Sequence, residues 1–156
     1  MRNKYRSILM FGLVLSCLIL TACTGNKSGR SKTEEVVNLY CDSWIVDNYM
    51  NAVSDYDHVI YECYYYDHGR LSIGPTERGF RGIVYLTEEE AKRLEEEYEW
   101  EDADISDTGF EQIESDFTGD GPWYVSKAFN EDNYSAVNIL YTYFDGKKLV
   151  FNIHQT

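Results

Sequence analysis

Tyr56-Asp57-His58 and Tyr66-Asp67-His68 are the same tripeptide, set ten residues apart. An imidazole beside a carboxylate can ligate a metal or move a proton. The stretch between the two copies reads as one strand, however, and ten residues of strand separate the histidines by about 33 Å. They could not then share one ion. His154, the third histidine, is expected to be frayed or exposed. Arg70, Arg78 and Arg81 lie in or beside the glycine-rich stretch 69–82 and are the one basic cluster of an acidic domain. Glycine N–H groups and arginine forks suit a carboxylate or phosphate, so these three are the candidate ligand-binding residues. The competing reading pairs them with neighbouring carboxylates. The phosphate-cradling Gly-x-x-x-x-Gly-Lys-[Ser/Thr] is absent, because the nearest spacing, Gly74 to Gly79, runs into Phe80.

Asp102, Asp104, Asp107, Asp116 and Asp120 invite a calcium reading, since calcium takes several loop oxygens. The EF-hand alternation breaks at the third ligand, and an acidic surface loop accounts for the run, so no metal site is assigned. Gly-x-Ser-x-Gly and HExxH are both absent. No catalytic residue and no cofactor is assigned, and the chain reads as a non-enzyme. Acid–base chemistry by Asp57 or Asp67 beside its histidine stays as an alternative.

The N-terminal stretch says more about place than about chemistry. Arg2, Lys4 and Arg6 precede an uncharged apolar run from Ile8 to Leu20, which ends in Leu20-Thr21-Ala22-Cys23. This is the layout of a signal peptide, too short for a comfortable membrane span. Its last four residues resemble the lipobox of bacterial lipoproteins. The resemblance implies cleavage after Ala22, a signal peptide over 1–22 and a diacylglyceryl group on Cys23. Two acyl chains hold a protein stably at a membrane. Residues 24–32 are small and polar and read as a tether of about 17 Å root-mean-square span. The expected location is the extracytoplasmic face of the cell membrane.

The remaining 33–156 reads as one globular domain. Without its signal the chain keeps 11 of its 14 basic residues against 27 acidic ones, a net charge of −16. That excludes a phosphate backbone as partner, which needs a basic face, and argues against docking on anionic lipid heads. Cys41 and Cys63 are the two cysteines outside the signal and lipobox. An even pair in an exported domain is a disulfide candidate. The alternative is two buried thiols that never meet.

The elements follow from periodicity. Val37, Cys41, Ile45, Tyr49 and Val53 recur every four residues and predict a helix over 33–53, although Asn38-Leu39-Tyr40 could be extended. Residues 56–66, rich in β-branched and aromatic side chains, predict a strand with Val59, Tyr61, Cys63 and Tyr65 on one face. A second strand over 80–86 leads into a helix opened by the capping box Thr87-Glu88-Glu89-Glu90. Its apolar stripe is Ala91, Leu94 and Tyr98, with Glu88–Lys92 and Glu89–Arg93 as surface pairs. Phe110, Ile113 and Phe117 are spaced for a short helical turn. Three more strands are expected over 123–129, 136–144 and 147–154, the last two joined by a type I′ turn at Asp145-Gly146. The fold class is α+β: an antiparallel sheet of about five strands with two helices packed on one face.

From Trp44 to Trp100 the run DYDHVIYECYYYDHGRLSIGPTERGFRGIVYLTEEEA resembles a group of uncharacterised small lipoproteins of Gram-positive bacteria. That resemblance implies no activity, substrate or site residue. With 14 tyrosines and three tryptophans, and with Tyr64, Tyr65 and Tyr66 consecutive, both sheet faces receive aromatic rings. An exposed aromatic patch marks a partner or ligand surface. The expected function is a membrane-anchored, non-catalytic module that binds a protein partner or a cell-wall component. A small-ligand or divalent-cation binder is the alternative.

Overall fold

The structure, a computed structural model, describes residues 34–67, 78–105, 108–113, 122–134 and 137–155, all within the compact unit Thr33–Thr156. Among these residues seven strands and three helices follow one another. They are β1 (Glu34–Tyr40), α1 (Trp44–Tyr49), β2 (Tyr56–Asp67), β3 (Arg78–Leu86), α2 (Glu88–Glu97), β4 (Glu101–Ala103), β5 (Trp123–Val125), α3 (Lys127–Asp132), β6 (Asn138–Phe144) and β7 (Lys148–Gln155). The strands form one antiparallel sheet in the order β1-β2-β3-β7-β6-β5-β4. The fold is therefore α+β with an antiparallel sheet, as the sequence implied, but with more elements.

Strand alternation sorts the side chains onto two faces. Val59 and Tyr61 of β2, Phe80 and Val84 of β3, and Leu149, Phe151 and Ile153 of β7 share a core cluster with Ile45 and Val46 of α1, Ala91 and Leu94 of α2 and Phe129 of α3. All three helices thus bury their apolar sides on one face. On the other, Ile83 and Val150 pack with Trp123 and Ile113, joined by partly buried Ile60, Ile105 and Phe110. The segment around residues 108–113 therefore lies over the second face.

The structure corrects several boundaries. Residues 33–53 are not a helix: β1 precedes the six-residue α1. Val36, Val37, Leu39 and Tyr40 pair with β2 in unbroken register, and this pairing overrides the four-residue period. Only the later half of that period, Ile45, Tyr49 and Val53, is buried as a stripe. The strand expected over 123–129 stops at Val125, where Ser126 caps α3 by accepting from the Phe129 N–H at 3.3 Å. Residues 110–113 form no helix, and Phe117 lies outside the described residues.

At α2, Thr87 caps as expected, accepting from the Glu90 N–H at 3.3 Å. The Glu90 side chain does not complete the box. It is buried and accepts from Ser54 N–H (2.8 Å), Ser54 Oγ (2.9 Å) and Arg93 Nε (2.9 Å), which ties α2 to the chain before β2. Lys92 pairs with Glu96 at 3.8 Å, and Arg93 with Glu90 and Glu97, in place of the expected Glu88–Lys92 and Glu89–Arg93 pairs. In the β6–β7 turn only Gly146 has positive φ (+85°), so the turn is not type I′, which needs positive φ at both central residues.

The most connected polar group is Glu62 on β2. It is fully buried, and its Oε1 accepts the N–H groups of Glu111 (2.8 Å), Gln112 (2.5 Å) and Ile113 (2.8 Å). Its Oε2 accepts from Arg81 Nε at 2.6 Å. Burial alone would raise the Glu62 pKa, but the Arg81 bond and the three N–H groups outweigh it and hold the carboxyl below its usual range. Glu90, pulled down by Arg93 and Ser54 against the same cost of burial, titrates at about 2.

Two outcomes follow. Breaking a buried ion pair leaves an unpaired charge and costs about 3–5 kcal/mol. Urea unfolding of Glu62→Gln is therefore expected to show a loss of that size, with faster amide exchange at residues 111–113; unchanged stability would contradict the assignment. Both carboxyls are more acidic folded than unfolded. Their stabilisation is complete above about pH 4.5 and is lost as pH falls towards 2, roughly 3 kcal/mol of it through Glu90. Acid titration of the unfolding midpoint reads this directly.

Candidate functional site

The sheet has two edges of opposite character. β4 is three residues long and carries Glu101 and Asp102, so shortness and charge both blunt it. β1 is seven residues long, pairs with β2 without a bulge, and has no charge or proline from Val36 to Tyr40. No described strand lies on its outer side. Residues 38–44, its end and the following turn, are all exposed.

Three of the four large hydrophobic side chains exposed among the described residues fall here: Leu39 (40%), Tyr40 (40%) and Trp44 (43%). Tyr40 stacks on Tyr61 at 5.4 Å, and Trp44 leans on Phe80 at 5.4 Å and meets Tyr49 edge-on at 5.6 Å. Asp42 sits between them. Its Oδ1 accepts from Tyr61 Oη (2.8 Å) and from the Trp44 N–H (3.1 Å). Burial and the Asp42 carboxylate both push the Tyr61 pKa up, so the phenol stays a donor. The two exposed rings are thus held at fixed positions over buried aromatic neighbours. Because β1 alternates, Tyr40 lies on the helix side of the edge and Leu39 on the other.

The arginines do not converge. Arg78 and Arg81 are an odd number of residues apart on β3 and point to opposite faces. Arg78 is exposed, and Arg70 lies outside the described residues. Arg81 is buried and committed to Glu62, with Glu35 at 3.7 Å, Glu111 at 3.6 Å and the Tyr64 ring 4.8 Å below its guanidinium. The Tyr64 ring lies where a Cβ on Gly79 would stand, and its hydroxyl donates to Asn152 at 2.9 Å. One guanidinium among three carboxylates offers an anion little, and the geometry favours the pairing reading for Arg81.

The acid–base candidates also separate. His58 stacks on Tyr85 at 4.2 Å on the second face, whereas Asp57 lines a 660 Å³ groove beside α2. Asp67 ends β2, and His68 lies outside the described residues. His154 is not frayed: it is half-buried in β7, stacked on Tyr64 at 6.3 Å. Asp102 and Asp104 are exposed, Asp107, Asp116 and Asp120 lie outside the described residues, and no metal-holding group of His, Cys, Asp or Glu occurs among those described. Cys23 is likewise outside them.

Sequence reasoning missed this edge because it read β1 as part of a helix. The usable signal was the β-branched and aromatic run Val36 to Tyr40. Cys41 and Cys63 are both free thiols, Cys41 exposed and Cys63 buried. The register explains why the expected disulfide is not made. Cys63 pairs opposite Asn38, three residues before Cys41. Three strand residues span about 10 Å, beyond disulfide reach. Peptide-level mass spectrometry after brief alkylation of the folded protein should find Cys41 modified at once and Cys63 only after unfolding. Protection of both until reduction would show a bond instead.

No protein-family model, no curated protein and no solved structure matches the chain.

Proposed function

We propose that this chain is a lipid-anchored, non-catalytic binding module of the extracytoplasmic membrane face, and that it engages a protein partner through the β1 edge. The observation that carries the reading is the gathering of Leu39, Tyr40 and Trp44 at one end of β1, a strand with no described strand on its outer side. Single exposed hydrophobics are normal on a protein surface; here Tyr40 and Trp44 are exposed together on the helix side of the edge, with Leu39 on its other side. Tyrosine and tryptophan are also the side chains that dominate interface energetics. The membrane location rests on the lipobox-like Leu20-Thr21-Ala22-Cys23 and the run before it. No helix among the described residues is long and apolar enough to cross a membrane.

A second reading has one observation behind it. The 660 Å³ groove lined by Asp57, Thr87, Lys92 and Lys147 adjoins a 310 Å³ hollow lined by Tyr98, Trp100 and Tyr124, and the two share Glu95 and Gly146. Volumes of this size hold small ligands. Rings beside charged groups would suit a wall-derived sugar.

The two parts of the main reading separate experimentally. Cys23→Ala should release the protein from the membrane fraction, and full retention would contradict the anchor. Tyr40→Ala combined with Trp44→Ala should leave anchoring and folding intact but abolish crosslinking to envelope proteins. Undiminished crosslinking would move the binding site elsewhere.

A further inference from the structure

We propose that the outer edge of β1 binds an extended, basic peptide segment of its partner by strand addition, making it the eighth strand of the sheet. The proposal rests on the binding face named above and specifies what that face takes.

Three features support it. First, the outer side of an edge strand presents a row of N–H and C=O groups that template another chain, and β1, with no described strand beyond it, lacks the usual protections of shortness, central charge, proline or bulge. The opposite edge, β4, has two of them. Second, strand addition draws affinity from main-chain bonds and specificity from alternate side chains. An added strand would lay one set of side chains beside Tyr40 and Trp44 and the other beside Leu39. Third, the charge is one-sided. From Glu34 to Asp67 the sequence has no lysine or arginine, while Asp42 and Asp47 follow the exposed end of the edge and Glu35, shared with Arg81 at 3.7 Å, lies at its start. An acidic segment, a second copy of this net-negative chain included, would be repelled there; alternating lysine and apolar residues complement it.

One local contact bears on the geometry. The Gln112 side chain donates to the Val37 carbonyl at 2.8 Å, at an exposed position. Gln112 is itself placed by Glu62, which accepts its backbone N–H. The incoming strand would displace this side chain from a single carbonyl and leave the loop in place.

The test uses the full-length protein in detergent and dye-labelled ten-residue peptides read by fluorescence anisotropy. The alternating Val-Lys peptide should bind saturably, with Kd below about 1 mM. The Val-Glu peptide should bind at least tenfold more weakly. N-methylation of alternate amides of the Val-Lys peptide, in the frame that faces β1, should abolish binding, because it removes the ladder donors and leaves the side chains and the protein untouched. Gln112→Ala should bind the Val-Lys peptide at least as tightly as the unaltered protein. Equal binding of the N-methylated and parent peptides, or no binding of the Val-Lys peptide at all, would overturn strand addition. The crosslinking result for Tyr40→Ala with Trp44→Ala would be unaffected by either, so the two claims fail separately.

Discussion

The second face of the sheet depends on one buried carboxylate. A charge without water is costly, and the cost is met only when every lone pair finds a donor. Glu62 offsets that cost with three consecutive backbone N–H groups on Oε1 and one guanidinium N–H on Oε2. The consequence is positional. Three successive amides aimed at one oxygen fix the path of residues 111–113 across the sheet, and with it the seat of Ile113 against Ile83 and Val150. The same bonds set how far this segment reaches towards β1, where Gln112 touches one carbonyl. The cover over the second face and the contact of Gln112 with β1 therefore both follow from the Glu62 interaction.

The helix side is built differently. There the cover is apolar, with α1, α2 and α3 contributing to one cluster, and several polar ties sit at the ends of elements. Glu90 joins α2 to Ser54, Asn133 bonds the Ala52 N–H at 2.9 Å, and Asp42 joins α1 to Tyr61. Each tie holds a connection, and none crosses the open side of β1. The rings of Tyr40 and Trp44 are thus held from below and stay exposed on their outer side among the described residues.

Much of this was legible in the sequence, and the failures have physical reasons. β2, β3, α2 and the β6–β7 hairpin were readable, because alternation, a cap and an Asp-Gly turn are local signals. β1 was not, because Val37, Cys41 and Ile45 satisfy a helical period by chance across a strand, a turn and a helix; the partner strand decided the matter. The arginine cluster looked coherent in one dimension, yet the two-residue repeat of β3 sends Arg78 and Arg81 to opposite faces. Glu62 looked like any carboxylate in a strand. Its partners at 111–113 are some 50 residues away in an irregular segment, and no pattern announces that contact.

If β1 is the docking edge, its outer side is open to solvent in the purified protein and covered in the native membrane. Hydrogen–deuterium exchange of the purified protein and of the same protein in native membrane vesicles tests it most directly, with the peptide 34–40 compared against 148–155. Peptide 34–40 is expected to exchange quickly when purified and slowly in vesicles, while 148–155, from the centre of the sheet, is equally protected in both. Equal exchange of 34–40 in the two preparations would contradict it.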